Sequence, residues 1–161
     1  ITFAVHKLWW HYSAFIYSVP AFLNISGWLA HEVYLVSAWI NMHILGMDIR
    51  LAEGNTMIFL KNNYSIFINE SCSGFKQMFQ ILILFLLFPG PWKQKTWFIP
   101  ACIVAMFFVN VIRVIGLSYA MIWSPQHWDF IHLWIMRPFY YVAIFAMWVV
   151  WVERFREVKS A

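Results

Sequence analysis

The sequence predicts an all-α polytopic membrane protein with about five transmembrane helices and a small external β-strand meander between the second and third helices. Three observations support this prediction. Of the 161 residues, 63% are hydrophobic and 21% aromatic, but only 11% are charged, whereas an ordinary soluble domain has roughly a quarter charged residues. The charges are clustered, so that several long stretches contain none. Between two of these stretches, a segment alternates apolar and polar residues as short strands do.

Five candidate spans follow one another along the chain, since a transmembrane helix needs about 20 apolar residues. The first is interrupted by Pro20 and closed by the turn-forming residues 24–27. After the second span, the segment Asp48–Ser71 has alternating apolar residues and turn clusters at 53–55 and 61–63. It predicts about three short strands outside the hydrocarbon, because lipid does not tolerate an open sheet edge. The five predicted spans are Phe3–Leu23, Trp28–Met47, Phe75–Pro91, Trp97–Trp123 and Pro138–Val152.

These elements nearly exhaust the chain, so we expect residues 1–161 to form a single transmembrane domain. The net charge of +4 is small and scattered, which predicts no nucleic-acid partner. Cys72 and Cys102 are far apart, so neither a disulfide framework nor a zinc site is expected. The chain starts with neither Met nor a signal-peptide pattern, and Ile1 is therefore expected to begin a trimmed or processed chain. The oligomeric state stays open.

Basic residues near the span ends predict the orientation. Lys93 and Lys95 lie in the expected short loop between the third and fourth spans, and three more basic residues follow the fifth span. The positive-inside rule assigns both regions to the cytoplasm, and Lys7 disagrees weakly. The strand segment, the start of the third span and the loop Ser124–Arg137 are then expected on the extracytoplasmic side of the cell membrane. The three basic residues after the fifth span are Arg154, Arg156 and Lys159.

Cys72 is the cysteine that the sequence places best for reactivity. It stands beside residues suited to helix capping, at the expected external start of the third span. Unpaired amides and the helix dipole at such a position favour a thiolate, which makes Cys72 a candidate nucleophile. The alternative is an incidental cysteine beside a helix cap. Cys102 lies in an apolar run and is interpreted as an inert small hydrophobic residue.

Arg113 is the sole charge between Thr96 and Trp128. Counting from the cytoplasmic end of the fourth span at about 1.5 Å per residue puts it roughly 24 Å away, near the level of Cys72. An ionisable residue inside a span is costly and indicates a function by default. Asn110, three residues earlier on the same helical face, is expected to orient its guanidinium. The alternative is an arginine that reaches the external headgroups.

The loop before the fifth span carries His127, His132 and Arg137. A loop histidine is usually solvated, but histidine can also act as an acid or a base near neutral pH. His132 is the stronger candidate, because the predicted topology brings this loop to the same membrane face as Cys72 and Arg113. A thiol, a fixed cation and an imidazole can together catalyse acyl transfer.

In this order along the chain, these residues resemble a known family. The segment Glu70–Lys76 (ESCSGFK) opens one span, Asn110–Val114 (NVIRV) lies inside the next, and a histidine precedes the last. This arrangement, from about Leu35 to Phe155, resembles the exosortase/archaeosortase family of membrane cysteine transpeptidases. Larger relatives have about eight spans, against about five predicted here.

The resemblance implies a role for each candidate residue. Cys72 would be the nucleophile and Arg113 its catalytic partner, and the third position accepts His or Arg. We assign it to His132. The supporting or fallback residues are Asn110, Ser73, Arg137 and His127.

The resemblance also implies the reaction. A membrane-embedded cysteine protease or transpeptidase would cleave a C-terminal sorting signal of exported, membrane-tethered proteins and pass them to an acceptor. Its partners would be such proteins, whose tail combines a short motif, a transmembrane helix and a basic cluster, together with membrane lipids. No cofactor or metal is needed. The alternatives are a non-enzymatic membrane scaffold, which gives Arg113 no task, and a haem- or quinone-binding protein. For the latter, the sequence offers histidines near both faces but no obvious facing pair: His11, His31, His43, His127 and His132.

Overall fold

The structure is a computed structural model that describes His11 and residues 19–155. The described residues form four helices of more than ten residues and one antiparallel sheet in the order β1-β2-β3. A mostly helical chain with a three-stranded meander before the Cys72 segment is therefore confirmed. Most of the first predicted span, with Lys7, Arg156 and Lys159, lies outside the described residues. The elements are α1 (Pro20–His43), β1 (Ile49–Ala52), β2 (Thr56–Phe59), β3 (Ser65–Phe67), α2 (Phe75–Leu87), α3 (Trp92–Trp123) and α4 (Arg137–Phe155).

Helix α1 runs through residues 24–27, which the sequence predicts to end the first span. Pro20 occupies the first turn, where the missing N–H costs no helical hydrogen bond. The Ser26 hydroxyl donates to the carbonyl of Leu23 at 3.0 Å, so this polar side chain is satisfied inside the helix. The predicted break is wrong, and the helix begins at Pro20 rather than at Trp28.

Within the described part of the chain, two helical segments are long and apolar enough to cross a membrane, namely Trp92–Trp123 and Pro125–Phe155. Helix α3 has 32 residues, or about 48 Å at 1.5 Å per residue, which exceeds the hydrocarbon thickness of about 30 Å. Helix α2 is apolar but has only 13 residues. Among the described helices, the fourth and fifth predicted spans are thus supported by length and composition, and the count of five is not established.

The lysines at the start of α3 differ from each other in their surroundings. Helix α3 begins at Trp92, so Lys93 and Lys95 lie in its first turn and not in a loop as predicted. Lys93 is exposed, whereas Lys95 is only 4% exposed. The Lys95 ammonium donates to the carbonyls of Leu86 at 3.1 Å and Phe88 at 2.7 Å. It therefore satisfies carbonyls at the C-terminal end of α2, where a cation is also favoured by the helix dipole.

Aromatic side chains pack α2, α3 and α4 together. Trp151 of α4 is 1% exposed, and its ring centroid lies 5.1 Å from that of Phe98 and 5.6 Å from that of Phe85. A Cβ atom at Gly90, in the connection between α2 and α3, would lie 2.5 Å from the Trp151 ring. Only glycine allows the backbone to approach this side chain so closely.

Both turns of the meander are found where the sequence predicts them, at 53–55 and 61–63. Gly54, Asn55 and Asn63 have positive φ angles of 70°, 59° and 57°, which glycine and asparagine adopt more readily than other residues. Local turn chemistry therefore sets the register of the sheet.

The sheet packs on the C-terminal end of α3. The Asn62 amide donates to the carbonyl of Met121 at 2.8 Å, and the Lys61 ammonium lies 3.6 Å from the centroid of the Trp123 ring. An open sheet edge is not tolerated in hydrocarbon, so we expect the last turns of α3 to lie outside it. The sheet side chains buried against α1 and α3 are Met57, Phe59, Ile66 and Ile68.

The predicted loop Ser124–Arg137 is helical for most of its length. It forms a 3-10 turn at Pro125–His127, an α-helical turn at Trp128–Phe130 and a π-helical segment at Ile131–Met136 that continues into α4. The loop prediction is wrong, because partly buried apolar side chains of this segment pack against the cluster between α1 and α3 and so favour a regular helical backbone. These side chains are Trp128, Ile131 and Met136.

Candidate active site

Cys72 lies in the 3-10 turn Glu70–Cys72, which connects β3 to α2. The turn is closed at Asn69, whose carbonyl accepts from the Cys72 N–H at 2.9 Å and whose side chain accepts from the Ser71 N–H at 3.1 Å. The N-cap of α2 is Gly74. Cys72 therefore precedes the N-cap by two residues. The sequence predicts that it lies in the first turn of the helix, and this prediction is wrong. Its thiol is free and the residue is half-buried.

Ser73 holds this turn against α2. It is 1% exposed, and its hydroxyl donates to the carbonyl of Glu70 at 2.7 Å and accepts from the N–H of Phe75 at 3.1 Å. Ser73 thus supports the position of Cys72 through the backbone.

Asn110 connects the backbone of Cys72 to α3. Its side-chain amide donates to the Cys72 carbonyl at 2.7 Å, and the residue is fully buried. Gly74 permits this approach for two reasons. Its φ of +77° favours glycine, and a Cβ atom there would lie 3.1 Å from the Asn110 amide nitrogen.

A chain of hydrogen bonds leads from Asn110 to His132. The Tyr140 hydroxyl donates to Asn110 Oδ1 and accepts from Arg113 Nη1 at 3.3 Å. Arg113 Nη2 lies 2.9 Å from His132 Nε2. A guanidinium only donates, so His132 Nε2 is the acceptor in this pair. The imidazole is therefore neutral in this state, with its proton on Nδ1.

Arg113 is buried by the protein and does not reach out toward headgroups. Only 6% of it is exposed, and Tyr140 and His132 both bind it. The sequence predicts that Asn110 orients the guanidinium, whereas in the structure Tyr140 stands between the two. Among the described residues, the buried Nε of Arg113 has no hydrogen-bond partner. The described part of the network therefore leaves one donor of the guanidinium unpaired.

Tyr140 is the member of the network that the sequence analysis missed. It is 5% exposed, and its hydroxyl lies within electrostatic range of Cys72. A signal existed, because a tyrosine inside an apolar span usually needs a partner for its hydroxyl. In a regular helix, His132 and Tyr140 would point about 80° apart. The π-helical segment 131–136 holds more residues per turn, and both side chains reach Arg113.

The two fallback residues lie outside this chain of hydrogen bonds. His127 is exposed at the end of its 3-10 turn, and Arg137 is exposed at the start of α4. Arg137 lies within electrostatic range of His132. Over residues 19–155, neither side chain has a hydrogen bond to Cys72, Arg113 or Tyr140.

The histidines considered for a haem or quinone have other contacts. His31 Nδ1 lies 2.8 Å from the Asn55 side-chain oxygen, and His43 Nδ1 lies 3.0 Å from the carbonyl of Trp39. In the described part of the chain, no group of three or more His, Cys, Asp or Glu residues is placed to hold a metal ion.

Comparison with known proteins gives one match. A family model described as "Transmembrane exosortase (Exosortase_EpsH)" matches residues 4–152, which include the whole hydrogen-bonded network. No curated protein and no solved structure gave a match. The family match confirms the resemblance seen in the sequence.

We expect Gly74→Ala to destabilise the protein by about 1–3 kcal/mol, since alanine is strained at this positive φ and its Cβ would press on Asn110. Thermal denaturation of the purified protein in detergent measures this effect. The matched control is Gly27→Ala in α1, where an added Cβ meets no atom within 4 Å. Equal stability of the two variants would contradict the role assigned to Gly74.

Proposed function

Because the chain belongs to the transmembrane exosortase family, we propose that it is a membrane-embedded cysteine protease or transpeptidase whose nucleophile is Cys72. Its substrates are exported, membrane-tethered proteins that end in a short motif, a transmembrane helix and a basic cluster. One observation carries the assignment of the site: a continuous chain of hydrogen bonds joins the Cys72 backbone to Arg113 and His132. A thiol, a fixed cation and an imidazole can together catalyse acyl transfer, and this chain connects the residues that would supply them.

The reaction starts when Arg113 Nη2 leaves Nε2 of His132, whose imidazole is neutral in the resting network; the freed lone pair of Nε2 then takes the Cys72 thiol proton. A protonated Nε2 cannot accept again, so the hydrogen bond from Arg113 stays broken. The guanidinium and the imidazolium also repel each other. Deprotonation of Cys72 thus keeps donors of Arg113 free at the moment when the thiolate forms.

The Cys72 sulfur then attacks the scissile carbonyl carbon, and the carbonyl electron pair moves onto its oxygen. Arg113 donates to this oxyanion, which would be worth about 3–4 kcal/mol if it resembles a single oxyanion-hole donor. The oxyanion collapses, the C–N bond breaks, and the His132 imidazolium protonates the leaving amine. The product is a thioester on Cys72, which an amine, lipid or glycan acceptor, or water, then resolves.

Asn110 and Tyr140 are positioning residues in this proposal. Asn110 fixes the carbonyl of Cys72 and thereby the turn that carries the thiol. Tyr140 stays bound to Arg113 when His132 is protonated, so the guanidinium keeps its place as it changes partner.

The proposed site faces the extracytoplasmic side of the cell membrane. The exposed Lys93 at the start of α3 and the exposed Arg154 near the end of α4 lie at the helix ends away from Cys72. The positive-inside rule assigns those ends to the cytoplasm.

Replacing Cys72 tests the proposal directly. We expect Cys72→Ala to abolish cleavage of a reporter that carries such a C-terminal tail, so that the uncleaved reporter accumulates in membranes. Immunoblotting of the reporter and of the inserted enzyme measures both quantities. Cys102→Ala, a change at a 4% exposed position in the core, should retain cleavage. Normal cleavage by Cys72→Ala would eliminate the mechanism.

Arg113→Lys distinguishes a requirement for the planar guanidinium from a requirement for any positive charge. Lysine keeps the positive charge but loses the planar fork that binds Tyr140 and His132 together. We expect the cleavage rate to fall by about 100-fold or more, with an unchanged amount of membrane-inserted protein. A lysine variant that cleaves nearly as fast as wild type would show that only a cation is required.

The third catalytic residue is tested by three alanine variants assayed side by side. His132→Ala should reduce the cleavage rate by about 100-fold or more, because it removes the proton acceptor bound to Arg113. His127→Ala and Arg137→Ala should cleave at rates close to wild type, since both side chains lie outside the network. An active His132→Ala together with an inactive Arg137→Ala would transfer the role to Arg137.

A further inference from the structure

We propose that the outer edge of β3 binds the extended segment of the substrate that precedes the scissile bond, so that this segment adds to the sheet as a fourth strand. This inference rests on the proposed function and names where its substrate is held. Main-chain hydrogen bonds at a sheet edge can supply affinity for an extended peptide, and pockets for alternate side chains can supply specificity.

The register of the sheet shows which backbone groups of β3 are available. The Tyr64 carbonyl accepts from the N–H of Phe59 in β2 at 2.9 Å. The N–H of Ile68 donates to the carbonyl of Asn55, in the β1–β2 turn, at 3.1 Å. In an antiparallel pair, successive residues direct their N–H and C=O groups to alternate sides of the strand. The groups of Ser65 and Phe67 therefore point away from β2, and among the described residues they have no backbone partner.

The two edges of the sheet are not equivalent. The β1 edge lies beside α1, and charged residues, which discourage pairing with another strand, lie on or next to it: Asp48, Arg50 and Glu53. The β3 edge carries no charge between Tyr64 and Ile68. Its exposed side chains include Tyr64 and Phe67, at 49% and 58% exposure. This edge is thus the one that accepts a further strand.

The β3 edge is continuous with the candidate active site. Phe67 precedes Cys72 by five residues, a distance of at most about 17 Å even for a fully extended chain. Ile66 and Ile68 are buried in the cluster that Cys72 packs against, so β3 is fixed relative to the thiol. A peptide paired with β3 would reach Cys72 within about five residues, with its backbone extended and its next carbonyl accessible to attack.

A proline substitution tests the outward N–H of β3. Phe67→Pro removes this donor while the hydrogen bonds between β2 and β3 remain, since edge positions tolerate proline. Initial cleavage rates of the tail-bearing reporter are measured in membrane vesicles at increasing reporter concentration. We expect the apparent KM to rise about tenfold with kcat nearly unchanged, as lost hydrogen bonds in binding would produce. Phe67→Ala reports the effect of the ring alone.

The matched control for the proline lies on the opposite edge. Leu51 in β1 pairs with Met57 and also directs its backbone groups away from β2. Leu51→Pro should leave KM at the wild-type value. If both prolines change KM equally, or if Phe67→Pro leaves KM unchanged, the inference is wrong. An inactive Cys72→Ala beside a wild-type KM for Phe67→Pro would overturn this inference alone, whereas an active Cys72→Ala would overturn the proposed function.

Disulfide trapping tests the contact without relying on turnover or on proline tolerance. Phe67→Cys is combined with Cys72→Ala and Cys102→Ala, which removes both native cysteines. The reporter carries single cysteines at successive positions before the scissile bond. We expect cross-links at alternate positions, because side chains of a strand alternate between faces. Cross-links between two copies of this chain, or absence of the alternating pattern with the reporter inserted normally, would contradict the proposal.

Discussion

A guanidinium buried among apolar helices must have partners, because neither lipid nor packed hydrocarbon can replace its hydration. Arg113 meets this requirement with Tyr140 and His132. Tyr140 in turn needs an acceptor and finds it in Asn110, whose amide then binds the Cys72 carbonyl. The buried charge thus fixes α3, α4 and the Cys72 turn relative to one another. The same set of contacts that satisfies it also connects the backbone of Cys72 to a cation and an imidazole.

Two local departures from regular structure serve this requirement. The π-helical segment 131–136 lets His132 and Tyr140 both bind Arg113, although regular helix geometry would turn them to different faces. Gly74 has a positive φ and no side chain, so the Cys72 turn can lie against Asn110. Both departures occur where the polar network is built. This placement is typical of functional sites.

Local patterns predicted the elements whose cause is local. The strands and their turns follow from alternating apolar residues and from Gly54 and Asn63, and α3 follows from a long run of apolar residues. The predicted helix break at 24–27 is wrong because the Ser26 hydroxyl finds an acceptor within the helix. The predicted loop at 124–137 is wrong because tertiary packing favours a helical backbone there. Tyr140 was missed for a related reason: its partners lie 27 and 30 residues earlier in the chain. A single sequence does not show which residues so far apart come into contact.

The pairing of Arg113 with a neutral His132 has a consequence for the chemistry proposed here. Two cations 2.9 Å apart in a buried site would repel strongly, so a proton on Nε2 and a guanidinium beside it exclude each other. The location of one proton therefore decides which partner Arg113 binds. In the proposed mechanism, Tyr140 remains the acceptor of Arg113 in both states, so the guanidinium changes partner without leaving the site. Its donors are then free for the oxyanion when the thiolate forms, whereas a solvated cation with no fixed partner would not link these two events.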